Sequence, residues 1–174
     1  LEFMGLDLSY WSTGYTVISV EPRTDDCTGL VVPVFQLREA GVITPKGRNE
    51  FSYIEQSIRQ VAAKYPSLSK VVPKETLIAT DPEITKVLRK VHKAAWEALP
   101  GFDLRNVNPS TVKKLVGGHG RANKDEVAIG VRRMCNLPDH YQFVTNDSSD
   151  AAGICLAFLM ENYYPAEIPL PFAK

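Results

Sequence analysis

Short runs of apolar and β-branched residues open the chain. Met4 to Leu8 is compact and apolar, Tyr15 to Val20 alternates, and Val31 to Thr44 repeats that mixture. Together they predict three strands in an antiparallel meander. Between the second and third, Pro22 to Gly29 carries turn chemistry and is expected to form an exposed loop. From Asn49 the period lengthens: Phe51, Ile54, Ile58, Val61 and Ala62 recur every three or four residues, predicting a helix to about Tyr65. Lys70 to Thr76 is a short strand candidate. A second helix starts near Pro82, with Ile84, Val87, Leu88, Val91, Ala95 and Ala98 as its buried stripe, and stops at Pro100-Gly101. Phe102 to Val107 then reads as strand, and Pro109 starts a short helix that Gly117-Gly118-His119-Gly120 breaks. Asn123 to Asn136 is another helix. Asp147 to about Tyr163 is a last one, apolar nearly all round and therefore buried. A meander followed by alternating helix and strand predicts an α/β domain, with a mixed sheet and helices on both faces.

Length and composition narrow this further. The 174 residues suit one domain, read as 4–174, with Leu1-Glu2-Phe3 taken as additions ahead of a start at Met4. No uncharged apolar run approaches the ~18 residues of a membrane span, so no membrane partner is expected. Cys27, Cys135 and Cys155 show neither disulfide nor zinc spacing. That favours a reducing compartment inside a cell: bacterial or phage-infected cytoplasm, or an organelle matrix or stroma. The 20 basic and 20 acidic residues cancel, but not evenly along the chain. Between Lys86 and Arg133 stand eleven Lys/Arg against Glu97, Asp103, Asp125 and Glu126. Such a segment fits a polyanion-binding face as well as it fits ordinary solvated helices.

Four acids stand out by context. Asp7 lies between Leu6 and Leu8, where an ionised carboxylate needs a partner, a hydrogen bond or a metal. Asp147 and Asp150, three apart, share one helix face, although helix starts also favour Asp for capping. Glu75 follows the apolar pair Val71-Val72 and also reads as an edge residue. Carboxylates from three elements meeting at one sheet end would be ligands for Mg²⁺ and for two-metal phosphodiester chemistry. Arg121, in a glycine loop beside Lys124, is a candidate phosphate contact. His119 reads as a solvated loop residue, Trp96 as core or dimer contact, and Trp11 carries no assigned role.

These residues carry a resemblance. Gly5-Leu6-Asp7-Leu8-Ser9, followed by Ser12-Thr13-Gly14-Tyr15-Thr16-Val17-Ile18, resembles the opening of the RuvC family of Holliday junction resolvases. Pro109-Ser110-Thr111-Val112-Lys113-Lys114-Leu115-Val116-Gly117, then Gly120-Arg121-Ala122-Asn123-Lys124-Asp125-Glu126-Val127, is similar to that family's middle block, and Asp147-Ser148-Ser149-Asp150-Ala151-Ala152 to its final helix. The resemblance spans Met4 to Leu159. It implies an RNase H-like fold with a five-stranded sheet, a homodimer, and symmetrical nicking of four-way DNA junctions with Mg²⁺, or Mn²⁺ as a substitute. It further implies catalytic and metal-binding acids at Asp7, Glu75, Asp147 and Asp150, and DNA contacts at Lys113, Lys124 and Arg121. Two departures stand against the pattern. Pro73-Lys74 precede Glu75 where an apolar strand is usual, which keeps Asp81 or Glu83 in reserve as the second acid. Thr76 to Thr80 lacks an aromatic residue, leaving Leu77 or Ile78 as the wedge at the crossover. An inactive junction-binding protein of this fold, or a nuclease for other branched DNA or RNA–DNA hybrids, remains an alternative.

Overall fold

Alternation along the first strand assigns the two faces of the sheet. The computed structural model describes residues 1–46, 49–73 and 81–164, and in it strand β1 (Glu2–Asp7) sends Phe3 into one core and Met4 and Leu6 into the other. Gly5 shares the parity of Phe3, and a Cβ there would meet the Ala151 carbonyl oxygen at 2.2 Å. Asp7 shares that parity too, which points its carboxylate to the face covered by the last helix. The strand takes in Glu2 and Phe3, read above as preceding the domain, and Phe3 is fully buried.

Strand β2 (Thr13–Thr24) and strand β3 (Val31–Ile43) complete the expected meander. The loop expected over Pro22 to Gly29 is shorter: Pro22 pairs with Pro33 and Thr24 with Val31, and the turn is closed by Asp25, whose side chain accepts from the Cys27 and Thr28 amides. Proline is tolerated here because β3 is the edge strand and β1 pairs with β2 no further than Ser19. Helix α1 (Glu50–Ala63) leads to strand β4 (Leu68–Pro73), which runs parallel to β1. Of the strand expected at Lys70 to Thr76, the part from Lys74 onward, including Glu75, Leu77 and Ile78, lies outside the described residues. Helix α2 (Pro82–Ala98) follows, then strand β5 (Asp103–Leu104), two residues where six were expected, although the Arg105 amide still donates to the Val71 carbonyl at 3.1 Å. The sheet order is β3-β2-β1-β4-β5.

Helices α3 (Pro109–Leu115), α4 (Lys124–Met134) and α5 (Asn146–Tyr163) follow the expected pattern. They bury Val112, Val127 and most of α5 with Phe3, Ile18 and Val72 on one face, while α1 and α2 close over Met4, Leu6, Val17 and Val71 on the other. Trp96 is not a core residue, being 41% exposed on α2 beside His92. All three cysteines are free. No helix among the described residues is long and apolar enough to cross a membrane.

The outer part of β3 is tied to α1 through Glu39, which accepts from the Tyr15 hydroxyl (2.8 Å), the Tyr65 hydroxyl (2.7 Å) and Lys64 Nζ (2.8 Å). Burial alone would raise the Glu39 pKa, but these three donors together hold it below the ordinary glutamate value. A depressed carboxyl stabilises the fold above its unfolded pKa, and that contribution disappears as pH falls through the folded value. Glu39→Gln should therefore lose roughly 1–2 kcal/mol at pH 7, and its gap to the wild type should close on acidification. Melting curves of both proteins at pH 7 and pH 3 check this; a gap that is constant with pH counts against the network.

Candidate active site

Strand register and helix capping bring three carboxylates together. Asp7 ends β1 opposite Gly14 of β2 and is only 6% exposed. Helix α5 begins just over that pair, and its start is capped by Thr145, whose hydroxyl accepts from the Ser148 amide while the Ser148 side chain reaches back. The capping role open to an Asp at a helix start is thus taken by Thr145 and not by Asp147. Asp147 and Asp150 instead project from the first turns, one turn apart, where the helix dipole favours negative charge. Asp7, Asp147 and Asp150 each offer one oxygen, and these lie within 4.8 Å of one another.

Sequence reasoning missed two residues that shape this cluster. Ser12 donates a hydrogen bond to Asp147 Oδ2 and orients that carboxylate. At Gly14 a Cβ would lie 1.9 Å from the Asp147 carbonyl oxygen, so only glycine lets the helix start settle on the sheet. Their signal was present, since Ser12 lies in the turn after Asp7 and Gly14 at the start of β2, but nothing in the sequence shows which helix covers them.

Lys124 is part of the acid cluster. Its Nζ lies 2.8 Å from Asp150 Oδ2. That hydrogen bond holds the ammonium above the ordinary lysine value against partial burial, and the charges of Asp7 and Asp147 add to it. A cleft of about 420 Å³ opens beside it between α3, α4 and α5, lined by Lys113, Asn123, Lys124 and Asp150 over an apolar floor of Val112 and Val127. Lys113 and Arg121 are exposed and carry no ion pair among the described residues. Much of the remaining basic segment is neutralised locally, as in Lys86–Glu83, Lys93–Glu97 and Arg105–Asp103.

The other candidates fall elsewhere. Asp81 caps α2 by accepting from the Glu83 amide, and Glu83 pairs with Lys86, so neither reserve acid joins the cluster formed by the described carboxylates. His119 Nε2 lies 3.2 Å from Glu126, which also closes the capping box of α4. Three carboxylates, two of them half-buried and one buried, form a hard-oxygen donor set, and that chemistry fits a hard divalent cation rather than a softer metal.

A meander paired with two parallel strands, helices on both faces and carboxylates at the end of β1 define an RNase H-like nuclease fold. Residues 3–158 match the family model for crossover junction endodeoxyribonuclease RuvC, and the chain belongs to that family. It is 25% identical over 169 residues to the Rickettsia bellii (strain OSU 85-389) crossover junction endodeoxyribonuclease RuvC, covering 92% of this chain and 98% of that protein. It is 28% identical over 160 residues to the protein of that name from Synechococcus sp. (strain CC9311), covering 90% and 96%. Among solved structures, T. thermophilus RuvC in complex with a Holliday junction substrate superposes with a TM-score of 0.73 at 21% identity, over 90% of this chain and 92% of that one.

Proposed function

We propose that this protein is a structure-selective endodeoxyribonuclease that resolves four-way DNA junctions by paired, symmetrical nicks. The observation that carries the reading is the meeting of Asp7, Asp147 and Asp150 beside a lysine-lined cleft, in a chain of the RuvC family. These three acids would hold Mg²⁺, with Mn²⁺ as a substitute, and Glu75 is the fourth acid. The argument for Glu75 is register: β4 runs parallel to β1 with Pro73 opposite Leu6, so the chain leaves β4 at the sheet end that bears Asp7. Divalent cations held there would supply water activation and would neutralise charge on the scissile phosphate.

The chain's own residues bind and orient. Ser12 keeps Asp147 turned into the cluster, Lys124 adds positive charge beside the reacting phosphate, and Lys113 and Arg121 hold the flanking backbone. Paired nicks on two opposed strands need two sites, so the active form is a homodimer, and the half-exposed Trp96 on α2 suits a contact between copies. Its three free thiols suit a reducing compartment.

The direct test is incubation with a labelled synthetic four-way junction or matched linear duplex, in Mg²⁺ or EDTA, with nicks mapped on all four strands. Symmetrical nicks that need the metal are expected. Binding without cleavage would point to an inactive junction-binding protein, and equal cutting of linear duplex to an unselective nuclease. Junction binding should also weaken steeply with salt, and Lys113→Ala should lower the salt slope by about one. A slope indifferent to Lys113 would remove it from the phosphate contacts.

A further inference from the structure

The loop between β1 and β2 presents an aromatic platform that the cleavage chemistry does not use. Trp11 is 78% exposed, the most exposed of the large apolar side chains described. A mobile loop would make little of that, but this one is fixed at both ends. The Thr13 hydroxyl donates to the Ser9 carbonyl at 3.0 Å and closes the loop at its base, while Ser12, next to Trp11, is tied to Asp147. Beneath, Tyr10 donates its hydroxyl to Glu50 and tilts against Phe51 with ring centroids 6.0 Å apart. The Trp11 and Tyr10 rings meet in a T-shaped arrangement with centroids 4.8 Å apart at 76°, and at its exposure most of the indole stays open to solvent. A groove of about 350 Å³ runs on from it, lined by Ile84, Val87 and Leu88 of α2, with Ile84 itself 52% exposed.

We infer that Trp11 and Ile84 form a stacking site for an unpaired DNA base next to the cleaved phosphate. This rests on the nuclease reading above. Continuity with the acid cluster chooses the occupant: Trp11 lies four residues beyond Asp7, and its neighbour Ser12 holds Asp147, so a base seated here is flanked by the backbone that reaches the carboxylates. Glu83 also lines the groove, with its charge paired to Lys86 at 2.8 Å, and Arg89 and Lys90 are exposed further along α2. Every base has a π-face, and a rigid, exposed indole receives one without reading its sequence. Paired bases in an intact duplex are hidden within the stack; a branch point exposes them. The platform therefore selects branched over linear DNA.

The test has a binding arm and a cleavage arm. In EDTA, a four-way junction carrying 5-iodouracil at the thymines flanking the branch should photo-cross-link to Trp11, as located by mass spectrometry, whereas a linear duplex with the same label should not. In Mg²⁺, Trp11→Ala should slow junction cleavage by about 10- to 100-fold, in line with the worth of one base–aromatic stack, and Trp11→Phe should recover most of the rate. Melting temperatures of both variants should match the wild type, because Trp11 is exposed. Cross-linking to other residues alone, equal cross-linking from linear duplex, or a Trp11→Ala variant that cleaves at the wild-type rate each overturns the platform. A wild-type protein that cuts no DNA defeats the nuclease reading instead, and the cross-link in EDTA still decides the stacking site.

Discussion

Asp7→Asn should bind a four-way junction as well as the wild type and fail to cut it, with a rate loss on the order of 10³-fold or more. Removing a group that only supports a metal ligand costs about 10- to 100-fold, and Asp7, the most buried of the three acids, is placed to be shared by everything bound among them. The substitution keeps shape and removes one negative charge. Like charges about 5 Å apart repel by roughly 1–3 kcal/mol at effective dielectric constants between those of water and a protein surface, and Lys124 offsets only part of this. The variant should accordingly melt at or above the wild-type temperature in EDTA. Ligand linkage supplies the second signature: Mg²⁺ should raise the wild-type melting temperature, because it binds the folded site, and should raise that of Asp7→Asn much less. Single-turnover cleavage, gel-shift in EDTA and melting with and without Mg²⁺ form one set of measurements. Cleavage retained in Mg²⁺, or loss of the fold, would sink the assignment.

What the sequence made legible follows from what its signals encode. The apolar run of β1, the alternation in β2 and the three-to-four spacing in α1 and α2 are local, and these four elements stand close to where the patterns put them, although Ile84, counted in the buried stripe of α2, is exposed. The hairpin turn was misjudged because Pro22 carries turn chemistry by itself, and only its pairing with Pro33 at the sheet edge makes it a strand residue. Asp7, Asp147 and Asp150 were legible as candidates from their local context and from motif resemblance, but their convergence depends on tertiary packing. Gly5 and Gly14 draw α5 onto the sheet, and glycine in a sequence does not announce what its missing side chain makes room for. Lys124 was read as a DNA contact alone; its ion pair with Asp150 joins residues from two helices and leaves no trace in spacing. Ser12 and Trp11 were left without a role for a related reason, since a five-residue loop has no periodicity to interpret.

Gly14→Ala is the sharper test of how the site is built, because it leaves every proposed ligand in place. The new Cβ would lie 1.9 Å from the Asp147 carbonyl oxygen and 2.3 Å from its carbonyl carbon. Those are backbone atoms in the first turn of α5, so no rotamer change relieves the contact and the helix start must lift from β2. Overpacking of this kind costs about 1–3 kcal/mol, occasionally more. The chemical penalty should be larger. Asp7 is paired with Gly14 across the sheet, so lifting the helix separates Asp147 and Asp150 from Asp7 while Asp7 stays put, and a displacement of about 1 Å in a catalytic constellation can remove 10²-fold in rate. Gly5→Ala offers the comparison one turn along, where the Cβ meets the Ala151 carbonyl oxygen at 2.2 Å and Cys155 Cβ at 2.8 Å. Both variants should melt lower than the wild type, but Gly14→Ala, the nearer to the acids, should lose more cleavage for a given loss of stability, and its Mg²⁺-dependent rise in melting temperature should shrink as well. If Gly14→Ala melts and cleaves like the wild type, the packing of α5 on β2 is not what aligns the carboxylates, and their alignment must come from the Ser12–Asp147 and Lys124–Asp150 contacts instead.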